Sequence, residues 1–298
     1  MPPQLRLPSF AKINLSLRVV GKREDGYHEL CTVFQTVSLA DEITMTRSDD
    51  LALTCSDPII PTSSKNIIVK ASDALRRRLN IDAGARIHLE KNIPSPGGLG
   101  GGSSNAAIIL LGLRRLWELD VTDNELQSIG RELGADVPFF FHGGTALGTG
   151  RGDLIEQVED IRPRPMLIVT PNISIPTGDA FAQVDASNLT SESAKRILQI
   201  CRFEAESADF LQTALTNDLE LSVFESFPEV RRARQTLLEL GASNAAMSGS
   251  GASVFAIFDK EETRQTALKA LDSEVNWRKF AVAAISRAEY REALKSVF

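Results

Sequence analysis

Pro94-Ser95-Pro96-Gly97-Gly98-Leu99-Gly100-Gly101-Gly102-Ser103-Ser104-Asn105-Ala106-Ala107 is the stretch on which the reading of this chain turns. Five of the six positions from 97 to 102 are glycine, after two prolines that punctuate an apolar segment. The residues behind them predict a helix over Ala106 to Leu119, capped by Ser103 or Ser104. Glycines lack a Cβ, so their N–H groups can turn inward at φ values other residues avoid. A helix N-terminus adds free donors and about half a positive charge. Together these make an anion cradle, and phosphate is the anion that suits it. A flexible linker would not run straight into a capped amphipathic helix. A Walker A loop would end Gly-Lys-Ser/Thr, and no lysine stands there. The dinucleotide fingerprint also fails, because counted from Gly98 or Gly100 its last glycine falls on Ser103 or Asn105.

Upstream, Ala85 to Glu90 alternates Ile87 and Leu89 with Arg86, His88 and Glu90, so a strand feeds the loop. Asn66 to Leu79 has the apolar spacing of a helix. In Phe10 to Val20, Ile13, Leu15 and Leu17 alternate with Lys12, Asn14 and Ser16, which predicts a half-buried strand with those three on one polar face. A charged turn, Gly21 to His28, leads to a second β-rich run, Leu30 to Thr46, with a turn expected at Asp41. Downstream, Thr122-Asp123-Asn124-Glu125 is a capping-box start for a helix that Gly134 ends. Asp136 then sits in an apolar neighbourhood, before Val137-Pro138-Phe139-Phe140-Phe141.

Two prolines and two arginines in Ile161-Arg162-Pro163-Arg164-Pro165 mark a boundary, dividing the chain into 1–161 and 162–298. Beyond it come a strand at Met166 to Thr170, a helix near Thr177 to Val184 carrying Phe181, and a Ser-rich loop and helix over 185–200. The last segments read strand (Asn244 to Met247), glycine turn (Ser248 to Gly251), strand, helix and strand (Phe280 to Ile285). With the preceding helix, that order fits a split βαβ, ferredoxin-like layer.

The 298 residues are 43% hydrophobic and 24% charged, ordinary for a soluble globular protein. A net charge of −6 argues against general nucleic-acid or membrane-surface binding, which needs a basic face. Three scattered cysteines suit a reducing compartment, and three distant histidines do not suggest zinc. No apolar run approaches a membrane span and no signal core opens the chain, so a cytoplasmic location is expected.

The arrangement resembles the small-molecule kinases named after galactokinase, homoserine kinase, mevalonate kinase and phosphomevalonate kinase (GHMP). The loop from Pro94 to Ala107 and the glycine motif Met247-Ser-Gly-Ser-Gly-Ala-Ser-Val-Phe255 carry that likeness. Ala11-Lys-Ile-Asn-Leu15, Asp25-Gly-Tyr-His28 and Gly134-Ala-Asp-Val-Pro138 match the branch whose members phosphorylate 4-diphosphocytidyl-2-C-methyl-D-erythritol.

The resemblance implies an α+β, two-domain GHMP-kinase fold with a ferredoxin-like second domain and a cleft between the two. It implies transfer from ATP, with Mg2+, to the 2-hydroxyl of that acceptor, a step of non-mevalonate isoprenoid synthesis. It assigns Asp136 as the base and Lys12 as the cation beside it. It assigns ATP to Asn66, Ile67, Lys91, Pro94, Ser95, Pro96, Gly97, Gly98, Leu99, Gly100, Gly101, Gly102, Ser103 and Ser104. Asn14 would bond the acceptor near Lys12, Asp136 would also bind the acceptor, His28 would read the cytosine edge, and Tyr27 and Phe181 would sandwich the base. No glutamate matching a second magnesium ligand is evident, so phosphates, water and Ser103 or Ser104 would hold the metal. A small-molecule substrate, no nucleic acid, no membrane, and a monomer or weak homodimer complete the expectation. Other kinases of the superfamily fit less well, because they do not read a cytidine. A non-catalytic sensor fits less well because Lys12 and Asp136 are both present.

Overall fold

The computed structural model describes residues 4–182, 184, 191–206 and 215–298; the loop expected over 185–190 lies outside them. In chain order the first elements are β1 (Gln4–Lys22), β2 (His28–Ser48), β3 (Ala52–Cys55), α1 (Ile67–Leu79), β4 (Gly84–Glu90), α2 (Gly101–Leu116) and α3 (Asp123–Leu133). A 3-10 turn, Val137–Phe141, precedes β5 (Thr145–Thr149) and β6 (Leu154–Gln157). Then come β7 (Met166–Pro171), α4 (Thr177–Ala182), α5 (Ser191–Glu206), β8 (Thr216–Asn217), α6 (Glu220–Ser226) and α7 (Pro228–Glu239). The last are β9 (Asn244–Met247), β10 (Val254–Ile257), α8 (Glu261–Ala270), β11 (Trp277–Val282) and α9 (Arg287–Ala293).

Two sheets result. The first orders β3-β4-β2-β1-β8, with β5 on β2 and β6 on β5; the second orders β11-β7-β10-β9, all antiparallel. That second order, with α7 and α8 packed on it, is the ferredoxin-like layer expected. The apolar faces of α1, α2 and α3 pack with β1, β2 and β4 in one core. Ala11, Ile13 and Leu15, on the other face of β1, pack against Met166, Ile168 and Phe255 of the second sheet. The strand expected to be half-buried is therefore covered on both faces.

Three local expectations change. A register shift between Asn14 and Ser16 breaks the alternation of β1. Lys12 and Asn14 stay together, while Ser16 turns to Glu204 on α5, 3.0 Å away. Asp41 is not in a turn, because β2 runs through it unbroken and leaves it buried. Helix α2 starts at Gly101, with Gly100 as its N-cap and no side-chain cap, so Ser103 and Ser104 lie inside the first turn.

Residues past 162 serve both layers. β8 joins the first sheet beside β1. Helix α9 packs in the first core, where the fully buried Tyr290 donates its hydroxyl to Phe140 O at 2.6 Å.

Candidate active site

A cleft of about 1010 Å³ lies between the layers, and the glycine loop forms one wall. Close approach explains the glycines. Gly98 has φ +71°, and a Cβ there would lie 2.1 Å from Ser248 O. Gly100 has φ +68°, and its Cβ would meet Lys12 Cγ at 2.9 Å. The loop is held at its crest by Lys12 N donating to Leu99 O (2.9 Å), Ser248 Oγ to Gly98 O (2.9 Å) and Ser253 N to Gly97 O (3.2 Å). The second glycine motif thus buttresses the first. The first helical N–H group that has a partner on the previous turn is that of Ser104, which bonds Gly100 O. Those of Gly101, Gly102 and Ser103 are the free donors of the helix start. No acidic residue occupies that first turn to compete with a bound anion.

Facing this donor set, Lys12 Nζ lies 3.2 Å from Asp136 Oδ2 and 2.7 Å from Asn14 Oδ1. Asn14 Nδ2 donates to Thr32 Oγ1 at 2.8 Å, and Thr32 donates to Ser16 O, so the amide's orientation follows from its partners. The lysine side chain is 4% exposed and the aspartate 32%. The phenylalanines after Asp136 do not enclose it. Phe139, Phe140 and Phe141 point into the first core and anchor the turn, leaving the carboxylate at the cleft. The pair can do what phosphoryl transfer needs: accept a proton at one oxygen beside a fixed positive charge.

At the far end, His28 stacks on Phe181 with ring centroids 5.4 Å apart and planes 25° from parallel. Burial, with help from the Lys22 charge, holds the His28 pKa below its ordinary value, so the ring is neutral near pH 7. It then offers one donor and one acceptor. Tyr27 is 58% exposed, and the Arg151 guanidinium lies over its face, 5.2 Å from the centroid.

The cleft also takes in Ile67, Pro94 through Ser103, Asn14, Tyr27, His28 and Phe181, but not Asn66, Lys91 or Ser104. Asn66 caps α1, accepting from Ile68 N at 2.8 Å and donating to Pro61 O. The Lys91 ammonium turns inward to Asp41, 2.9 Å away; burial lowers its pKa and the Asp41 charge opposes that. Ser104 is fully buried, its hydroxyl 2.8 Å from Ser9 Oγ. Gly249 lines the cleft from the second glycine turn; Lys22, Thr32 and Arg151 line it too, and sequence reasoning does not single those three out as site residues. Lys22 and Arg151 each stand next to a glycine in the sequence, the only local signal that marks them. Thr32 gives none, because it matters only through Asn14.

Both halves of the chain match a known family. Residues 66–144 match the GHMP kinases N terminal domain and residues 193–276 the GHMP kinases C terminal domain. The 4-diphosphocytidyl-2-C-methyl-D-erythritol kinase of Syntrophotalea carbinolica is 41% identical over 93% of this chain and 97% of its own length. That of Caldanaerobacter subterraneus subsp. tengcongensis is 37% identical over 87% and 90%. A crystal structure of a 4-(cytidine 5'-diphospho)-2C-methyl-D-erythritol kinase superposes with TM-score 0.75 at 32% identity, covering 94% of this chain and 99% of that one. Homoserine kinase from Cytophaga hutchinsonii, 19% identical with TM-score 0.72 over 96% of both chains, shares the fold. The chain is an ATP-dependent small-molecule kinase of the GHMP fold, and it belongs to the 4-diphosphocytidyl-2-C-methyl-D-erythritol kinase family.

Proposed function

We propose that this chain transfers the γ-phosphoryl group of ATP to the 2-hydroxyl of 4-diphosphocytidyl-2-C-methyl-D-erythritol, giving the 2-phosphate and ADP. The observation that carries the reading is the 3.2 Å pairing of Lys12 with Asp136 opposite the free N–H groups of α2. The triphosphate rests on the N–H groups of Gly101, Gly102 and Ser103. Asp136 takes the hydroxyl proton as the new O–P bond forms and the bond to the bridging oxygen of ADP breaks. A carboxylate is too weak to ionise an alcohol beforehand, so proton transfer comes late, and most of the rate comes from positioning and charge. Lys12 meets the charge developing on the transferred group, and Asn14 holds Lys12 in line.

Magnesium supplies charge neutralisation on the phosphates when it is bound with ATP. The donor set supports a metal that arrives with the triphosphate. Among the described residues no group of three or more His, Cys, Asp or Glu is placed to hold a metal. The Ser103 hydroxyl, which lines the cleft on the first turn of α2, would complete its shell together with water. Ser104 is engaged with Ser9 and does not fit that role.

His28 would read the cytosine edge, with Tyr27 and Phe181 on the faces of the base; all three line the cleft, and Phe181 would exchange its stack on the His28 ring for the base. Lys22 and Arg151 line the same end and would meet the acceptor's diphosphate. Three free thiols support a reducing, cytoplasmic setting. Action as a monomer or weak homodimer goes with this reading, and the second sheet, lying wholly within 162–298, supports a division into 1–161 and 162–298 in which β8 and α9 reach back to the first layer.

The test combines a panel and a variant. ATP turnover is measured with the cytidine-linked acceptor, homoserine, mevalonate and galactose, and turnover with only one of the last three overturns the reading. Asp136→Asn should lower kcat at least about 100-fold with an unchanged melting temperature. Loss of folding instead would mean that Asp136 is only a structural partner of Lys12.

A further inference from the structure

Asp41 is not part of the cleft wall; it is buried in the middle of β2. Its carboxylate accepts five hydrogen bonds from four donor groups. Oδ1 takes Asn92 N and Ile93 N, each at 2.8 Å, and Lys91 Nζ at 3.0 Å. Oδ2 takes Lys91 Nζ at 2.9 Å and Asn105 Nδ2 at 3.1 Å. Lys91 Nζ donates in addition to Ile93 O. On the far side, Asn105 Oδ1 accepts from Ser9 Oγ at 2.7 Å, and Ser9 Oγ is 2.8 Å from Ser104 Oγ. Ser9 Oγ is the donor toward both, its one proton shared between Asn105 Oδ1 and Ser104 Oγ. The hydrogen bonds therefore join Ser104, Ser9, Asn105 and Asp41 in one connected network.

Residues 91–93 lead into the glycine loop, and residues 104 and 105 leave it on the first turn of α2. One carboxylate thus grips both flanks of a loop whose five glycines have no side chains with which to hold it. A buried ion pair is a poor source of net stability, because desolvation cancels most of the attraction. What such a pair does well is select one arrangement. Asp41 pairs across the ladder with Ser9, three residues before Lys12, and Lys12 N in turn holds Leu99 O. The grip and the catalytic lysine therefore share one rigid strand pair.

We propose that Asp41 is the positioning residue of the glycine loop: it fixes both flanks in one network and so sets the phosphate cradle's place relative to Lys12. The inference rests on reading the loop as the triphosphate site. It also gives Lys91 a role, exerted through Asp41 and the backbone of Ile93 rather than through a bond to nucleotide.

Two variants of the full chain test it. Asn105→Ala cuts the helix side of the network and leaves the ion pair in place. Asp41→Asn/Lys91→Met removes the pair without leaving a lone buried charge. Calorimetry gives Kd for a non-hydrolysable ATP analogue and for CDP, and thermal melting follows the fold. Both variants should weaken the ATP analogue about tenfold, while CDP binding stays within about twofold of the unaltered protein. Equal weakening of both nucleotides, or ATP-analogue binding within twofold of the unaltered chain in both variants, overturns the proposal. If the unaltered chain binds the analogue but does not phosphorylate the cytidine-linked acceptor, the proposed reaction fails while the positioning role is still decided by the two Kd values.

Discussion

Gly98→Ala is the most demanding test of how the loop is seated. Gly98 has φ +71°, where a side chain costs about 1–2 kcal/mol. The added methyl would stand 2.1 Å from Ser248 O and 3.0 Å from Gly251 N, the first more than an ångström inside the 3.4 Å of ordinary contact. Both neighbours are backbone atoms, so no flexible side chain can swing aside, and the loop must lift off the second glycine turn. Misplacing a reacting group by about 1 Å costs roughly 100-fold in rate, or about 2.7 kcal/mol of transition-state stabilisation. The expected result is therefore a fall of about 100-fold in kcat/KM for ATP. Melting temperature should drop by only a few degrees, at roughly 2–4 °C per kcal/mol for a chain of this size. Gly21→Ala is the control, because a Cβ there meets nothing within 4 Å and the backbone is not left-handed. Steady-state kinetics with both substrates varied and a thermal melt suffice. A Gly98→Ala enzyme within threefold of the parent in kcat/KM would refute the argument that this contact sets the cradle's position.

Two further outcomes follow from the acceptor end. The His28 pKa is depressed by burial and by Lys22, so protonation sets in only as pH falls below the ordinary value of 6.5. KM for the cytidine-linked substrate should stay flat from about pH 8 to about 6.5 and rise below that, because the protonated ring loses its acceptor; a rise already evident above pH 7 would exclude this role. Arg151→Ala should cut the advantage of CDP over cytidine as a competitive inhibitor about tenfold, the value of a hydrogen bond to a charged group, and leave KM for ATP unchanged. Loss of ATP affinity instead would put this guanidinium on the other nucleotide.

The local features of the site are legible where one short segment carries the whole signal. The glycine count between 97 and 102 announces a cradle, and the alternation around Ile13 puts Lys12 beside Asn14. The capping box at Thr122 is present, with Thr122 Oγ1 accepting from Glu125 N. Local pattern misleads where distant partners override it. Ser16 leaves the polar face because the ladder slips beside it. Asp41 resembles a turn residue, yet its burial is made tolerable by Lys91 and Asn105, 50 and 64 positions away. Resemblance assigns Lys91 to ATP, and its charge is turned to that same carboxylate. The start of α2 escapes a propensity argument because glycine is a poor helix former. Its first turn is set by close packing, with a Cβ on Gly101 only 3.0 Å from Ile93 Cγ2.

The return of α9 to the first core bears on how the chain is made. The turn that presents Asp136 is backed by Tyr290, whose hydroxyl meets Phe140 O, and Arg287 N bonds Asp160 nearby. Synthesis is vectorial, at about 5–20 residues per second, so residues near 290 emerge on the order of ten seconds after those near 161. Until then the Asp136 turn lacks the side chain that backs it in the finished fold. Asp136, the proposed base, is translated early, but the support of its turn follows only once residues near 290 have emerged.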